Sequence, residues 1–191
     1  MEQSKKDIAL GKFLSLILRH HPDTIGISLD ENGWADVDEL LKGIKKTGRT
    51  IDKQILERIV KENNKKRYSF NEEHTKIRAN QGHSICVDVE LKEEIPPNPL
   101  YHGTAEGFLE SIKKQGICRK TRQYVHLSSD KNTAISVGKR HGKPVVLTID
   151  TESMVKDKIP FYLSENNVWL CKFVAWKYVI KEEIKGYKDI N

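Results

Sequence analysis

Two short motifs combine histidine with a hydroxyl. Tyr101-His102-Gly103-Thr104 and Val125-His126-Leu127-Ser128 each carry an imidazole two positions before a hydroxyl side chain. At a strand end such a pair can hydrogen-bond ribose hydroxyls or an amide, and Gly103 lets a ligand come close to the backbone. A plain turn with a satisfied histidine would explain either motif alone, and their repetition shifts the balance modestly toward binding. Three basic runs add a second chemistry: Lys61 to Arg67 (KENNKKR), Lys113 to Arg122 (KKQGICRKTR) and Lys139 to Lys143 (KRHGK). They suit a polyanionic partner, although a lysine-rich solvated surface has the same composition.

The elements that must position these groups fall into two halves. Ser4 to His20 reads as a helix, with Ser4-x-x-Asp7 as its capping box, apolar Leu10, Phe13, Leu14 and Ile17 on one face, and Pro22 as its stop. A turn at Asn32-Gly33 leads to a second helix opened by Asp36-x-x-Glu39 and closed near Gly48, and a third spans about Asp52 to Lys61. Lys66 to Phe70 and Thr75 to Ala79 flank the polar stretch Asn71 to His74 and predict a β-hairpin. Three helices and a hairpin describe a winged helix. The run Ile95 to Pro99 (IPPNP) forbids helix and marks a linker, so the expected domains are 1–95 and 96–191. Beyond it, short β-rich runs (Leu100 to His102, Tyr124 to Leu127, Val145 to Ile149, Val168 to Val174) predominate, with helix patterns only at Gly107 to Gln115 and Thr133 to Arg140. The expected fold class is α+β, a helical N-terminal lobe followed by a mixed β lobe.

Length and composition exclude several classes. The 191 residues suffice for one large domain or two small ones, and 37% hydrophobic with 31% charged residues is a folded rather than a disordered composition. No apolar run approaches a membrane span, and Met1 to Lys6 lacks the apolar core of a secretion signal. Cys86, Cys118 and Cys171 are odd in number and contain no C-x-x-C pair, which argues against a disulfide framework or a structural zinc site. These features predict a soluble cytoplasmic chain with no metal requirement, expected to be a monomer. The formal charge of +6 lies wholly in the second half: residues 1–95 hold 17 Lys+Arg and 17 Asp+Glu, whereas residues 96–191 hold 16 and 10.

Seven blocks, taken in order, resemble the NAD-dependent RNA 2'-phosphotransferase family. They are Phe13 to Pro22 (FLSLILRHHP), Gly33 to Asp36 (GWAD), Lys65 to Tyr68 (KKRY), Ile77 to Ser84 (IRANQGHS), Leu100 to Thr104 (LYHGT), Tyr124 to Ser128 (YVHLS) and Val168 to Leu170 (VWL). They cover nearly the whole chain. The resemblance implies an N-terminal winged-helix lobe, a C-terminal lobe of the ADP-ribosyltransferase fold, and an active site between them. It implies RNA with an internal 2'-phosphate as partner and NAD as co-substrate. In the family's reaction the RNA 2'-phosphate attacks the anomeric carbon of the nicotinamide riboside and expels nicotinamide. The neighbouring ribose 2''-hydroxyl then attacks phosphorus, leaving 2'-hydroxyl RNA and ADP-ribose 1'',2''-cyclic phosphate.

Residue by residue, the resemblance carries the catalytic set onto Arg19, His20, Arg67 and Arg122. Guanidinium forks hold a phosphate bidentately and stabilise charge on a pentavalent phosphorus without a metal. His20, titrating near neutrality, is expected to donate or accept a proton in the transesterification. Without the resemblance, Arg19 and His20 read as partners of a helix dipole and Arg67 as a solvated charge. NAD is expected on His102, Gly103, Thr104, His126, Leu127, Ser128 and Val168. Val168 takes the place where many ADP-ribosyltransferases carry a glutamate. A glutamate there would hydrogen-bond the 2''-hydroxyl that must act as nucleophile, so its absence agrees with a phosphate acceptor. His21, Arg78, His83 and Arg140 stay open between solvent, packing and RNA contact, and Phe161 and Trp169 between the core and the cofactor. Two rivals remain: ADP-ribosylation of RNA or DNA 5'-phosphate ends without the second step, and a non-enzymatic winged helix. The latter is weak because the third helix (DKQILERIVK) lacks a base-reading cluster of Asn, Gln and Arg.

Overall fold

Amphipathic periodicity decides the first unit of the computed structural model, which describes residues 5–184. Helix α1 (Lys5–Arg19) buries Leu10, Leu14, Ile17 and Leu18; the proposed cap Ser4 lies outside the described residues. Helix α2 (Val37–Lys46) starts where the Asp36 carboxylate accepts the Glu39 N–H at 2.9 Å. Helix α3 (Lys53–Lys61) starts where Asp52 accepts the Ile55 N–H at 2.8 Å. Each cap satisfies a backbone donor that the first helical turn leaves without a partner. Leu14, Ile17, Leu18, Leu40, Ile44, Leu56 and Ile59 meet in one core with Ile77.

That core is closed by a small antiparallel sheet. The expected hairpin forms from β2 (Tyr68–Phe70) and β3 (Lys76–Ala79), with Tyr68 opposite Ala79. Strand β1 (Trp34–Asp36) joins the other edge of β3, giving the order β1-β3-β2. Three residues are too few to show a strand period, which is why β1 is silent in the sequence.

The chain divides between Glu90 and Leu91, slightly ahead of the boundary at residue 95. Lys92 and Glu93 form β4 (Lys92–Glu93) and already pair with Leu163 and Tyr162, so they belong to the second unit. The proline run is also part of that unit: Thr151 donates its hydroxyl to Pro97 O at 2.8 Å and its N–H to Asn98 Oδ1 at 3.1 Å.

The second unit contains β5 (Leu100–Ala105), α4 (Leu109–Gln115), β6 (Ile117–Cys118), β7 (Val125–Leu127), α5 (Lys131–Gly138), β8 (Pro144–Ile149), α6 (Thr151–Lys156), β9 (Tyr162–Leu163), β10 (Trp169–Cys171), β11 (Phe173–Val174) and β12 (Val179–Ile184). Its sheets run β4-β9-β10-β7, β11-β6 and β12-β8-β5. Every residue of the central strand β8 is buried, because α5 packs on it and both edges are paired. An isolated antiparallel bridge between Tyr101 and Ser128 ties β5 to β7.

The mixed α+β class holds, with several small sheets and six α-helices among the described residues. Two expectations change. The run from Val168 to Val174 is two strands, since β10 pairs with β7 and β9 whereas β11 pairs with β6. Val168 itself precedes β10, in a turn where its N–H reaches Ser164 Oγ at 3.0 Å. Helix α6 adds a third to the two helices expected in this half, its six residues being too few to show a period, and the pairing of strand β12 with β8 was not legible either. Phe161 and Trp169 are core residues, which settles their placement away from an exposed site.

Candidate active site

In the first unit one loop gathers three of the four proposed catalytic residues. Arg19 closes α1, and its carbonyl accepts the Ser84 N–H at 3.0 Å. Its side chain lies along Gly82, where an added Cβ would stand 3.5 Å from Nη1; Gly82 also has φ of +88°. His20 follows, its Nδ1 2.9 Å from Ser84 Oγ. Arg67 immediately precedes β2; its carbonyl accepts the Asn80 N–H at 2.9 Å, and Asn80 Nδ2 donates to Lys66 O at 2.8 Å. The segment from Asn80 to Ser84 thus holds Arg19, His20 and Arg67 through its own backbone and side chains. Tyr68 sits beneath them. Its hydroxyl donates to Gly11 O at 2.6 Å and lies 2.5 Å from Ser15 Oγ; burial raises its pKa, with Ser15 and the charges of Arg19 and Arg67 opposing.

His83 and Arg78 have inward roles. Arg78 Nη1 bonds Glu90 at 3.0 Å while its guanidinium lies 4.4 Å from the centre of the Trp34 ring. His83 is 2% exposed, and burial, then the charges of Arg19, His20 and Arg78, bring its pKa down to about 4. His21 stays at the surface, 4.0 Å from Asp23.

His83 makes a pH prediction for stability. Its folded pKa lies below the unfolded value, so the unfolded chain binds the extra proton. The stability of keeping it neutral is fully present above about pH 6.5 and is lost as pH falls toward about 4. Urea unfolding is expected to show about 2 kcal/mol less stability at pH 5 than at pH 7 from this group. A His83→Gln chain should show a flatter dependence over that window; an unchanged slope would count against a buried neutral His83.

In the second unit the bridge at Tyr101 and Ser128 brings the two histidine motifs together. His102 Nδ1 lies 3.1 Å from His126 O. A carbonyl only accepts, so Nδ1 carries the proton, and burial pushes the His102 pKa down, keeping the ring neutral with Nε2 as an acceptor. Arg122 Nη1 lies 3.4 Å from His126 Nδ1. Desolvation first, and the like charge of Arg140 second, lower the Arg122 pKa. Among the described residues no carboxylate forms an ion pair with Arg122 or Arg140.

Other expected binding residues have different local duties. Gly103 does allow a close approach, but the approaching group is helix α5: a Cβ there would stand 1.9 Å from Ala134 O. Ser128 Oγ donates to Asp130 O at 2.9 Å and accepts the Asp130 N–H at 3.0 Å, so its hydroxyl shapes the turn into α5. Thr104 is buried, and Leu127 belongs to the core. Val168 stands one position before the Trp169–Leu127 pair, at the end of β7 where Ser128 follows. Among the described residues no group of three or more His, Cys, Asp or Glu could hold a metal ion. Asn80, Ser84 and Tyr68 were not singled out for a role from sequence, although all three lie inside blocks that also carry a site residue or its neighbours.

Comparison with known proteins gives the family. The model of the RNA 2'-phosphotransferase, Tpt1 / KptA family matches residues 5–173. A probable RNA 2'-phosphotransferase of Fusobacterium nucleatum is 62% identical over 174 residues, covering 91% of this chain and 97% of the relative. Similar proteins of the same description occur in Flavobacterium johnsoniae (53% identity, 90% and 94% covered) and Shigella boydii (47% identity, 93% and 98% covered). A family match of this span, with relatives covered almost from end to end, makes the chain a member of the RNA 2'-phosphotransferase, Tpt1 / KptA family.

Proposed function

We propose that the protein removes an internal 2'-phosphate from RNA, of the kind left at a tRNA splice junction, by transferring it to NAD in the cytoplasm. The course is the two-step one, through an ADP-ribosylated RNA 2'-phosphate, with 2'-hydroxyl RNA, ADP-ribose 1'',2''-cyclic phosphate and nicotinamide as products. The first unit is read as a winged-helix lobe and the second as an ADP-ribosyltransferase-like lobe. The observation that carries the reading is the grouping of Arg19, His20 and Arg67 by the Asn80–Ser84 segment.

The chemistry of the residues fits both substrates. NAD supplies, when bound, the ADP-ribose acceptor and nicotinamide as a neutral leaving group. Neutral His102 offers Nε2 to a ribose hydroxyl, and apolar Val168 puts no carboxylate beside the hydroxyl that must attack. Arg122, whose charge is disfavoured by partial desolvation and by Arg140, is relieved by an arriving anion. Arg19 and Arg67 are placed to share the phosphate charge. His20 is placed to move the proton released by the attacking 2''-hydroxyl onto the departing RNA 2'-oxygen, which balances the second step. A non-enzymatic winged-helix role is less well supported, since Arg58, the arginine of α3, is already held by Asp7 at 3.0 Å.

The test is incubation with NAD and a short RNA carrying one labelled internal 2'-phosphate, without divalent metal. Label is expected to move to ADP-ribose cyclic phosphate. Label retained on unmodified RNA sinks the reading; ADP-ribose found only on 5'-phosphate ends would replace it with end modification.

A further inference from the structure

The two histidines that face the chemistry are anchored by different kinds of oxygen. His102 Nδ1 is held by the His126 carbonyl, which can only accept and therefore fixes one tautomer. His20 Nδ1 is held at 2.9 Å by the Ser84 hydroxyl, which can donate or accept by turning its O–H. We propose that Ser84 is the positioning residue for His20: it holds the ring by Nδ1, presents Nε2 to the phosphate, and keeps hold through a change of protonation. A neutral ring that donates Nδ1–H to the hydroxyl has an Nε2 lone pair able to take a proton, and the charged ring keeps the same Nδ1–H donation while Nε2–H gives that proton up. The imidazole can thus pass a proton through Nε2 without reorienting.

The backbone supports this role. Ser84 N–H caps the Arg19 carbonyl at 3.0 Å, fixing the distance between the Ser84 Cα and the end of α1. The turn of α1 is closed by His20 and His21 N–H donating to Leu16 O, each at 3.0 Å. His83, next to Ser84, is buried and Gly82 lies against Arg19, so the hydroxyl is delivered from a seated loop rather than from a free one. Ser84 itself is exposed, and its hydroxyl has little to do for packing.

The proposal rests on the phosphotransferase reading for its kinetic consequence but not for its spectroscopic one. Ser84→Ala is expected to lower kcat roughly tenfold to a hundredfold, with KM for RNA little changed and ADP-ribosylated RNA accumulating. Ser84→Thr, which keeps the hydroxyl, should restore most of the rate. Independently of any activity, the Nδ1 NMR shift of His20 should move in Ser84→Ala, where the hydrogen bond to the hydroxyl is lost, and return in Ser84→Thr. Unchanged His20 shifts in Ser84→Ala overturn the proposal whether or not the chain is active. Altered shifts with an unchanged kcat also overturn it, and a wild type lacking phosphate transfer overturns the functional reading alone. A fall in urea midpoint accompanied by loss in Ser84→Thr as well would mark a merely structural serine and reject it too.

Discussion

Arg122→Ala is expected to lower RNA 2'-phosphate transfer at least about a hundredfold while leaving the urea midpoint unchanged or slightly raised. On the proposed role for Arg122, the expected size is that of removing one donor from a site where phosphate charge builds up, an effect of about a hundredfold to a thousandfold. The sparing of stability follows from its surroundings. Arg122 keeps part of its side chain in solvent, has no carboxylate partner among the described residues, and its charge is disfavoured by partial desolvation and by Arg140. Removing it relieves repulsion and breaks only the contact to His126. Arg122→Lys should recover little, because a point charge does not reproduce a planar two-pronged fork. Labelled-phosphate transfer under single-turnover conditions measures it; activity within threefold of wild type for Arg122→Ala would remove this residue from the catalytic set.

The other large effect is on folding. Gly103→Ala should destabilise the second unit by about 3 kcal/mol or more, since its Cβ would enter Ala134 O at 1.9 Å and the obstacle is helix backbone, not a flexible side chain. Gly138 makes the reciprocal contact, with a Cβ there only 2.4 Å from Thr104 O. Helix α5 therefore lies directly on β5 through hydrogen-only surfaces at both positions. To accommodate a methyl group it must lift off, and β8, which it covers, loses its partner. Urea unfolding followed by the fluorescence of Trp169 and Trp176 reads the second unit, and a midpoint equal to wild type would contradict this packing.

The helices of the first unit were legible because each carries a period in its own sequence: Asp36 caps α2 where expected, α3 starts at Asp52 as its period implied, and Leu14, Ile17, Leu40 and Ile44 point into one core. The proximity of His102 to His126 was legible only as a repeated motif. What makes it real is a single bridge between Tyr101 and Ser128, a long-range pairing that no local pattern encodes. Gly103 shows the opposite limit. Its need for space was read correctly, but a sequence does not say whether a ligand or a helix fills that space. Ser84 and Asn80 were invisible as site residues because serine and asparagine in a loop ordinarily serve turns, and their partners Arg19, His20 and Arg67 are far away in sequence. Short elements such as β1, β4 and α6 carry too few residues to display any period.

Strand β8 has a consequence for how the chain comes off the ribosome. All its residues are buried, and one of its two edges is covered by β12, which is made about thirty residues later. Until Val179 to Ile184 have left the exit tunnel, that edge offers unsatisfied N–H and C=O groups to any neighbouring strand. The second unit therefore cannot close during synthesis of its own centre, whereas the helices of the first unit, made of local contacts, can settle early. A slow passage through codons for residues 150–178 would prolong the interval in which nascent chains associate, making that stretch the point at which translation speed and holding chaperones govern yield.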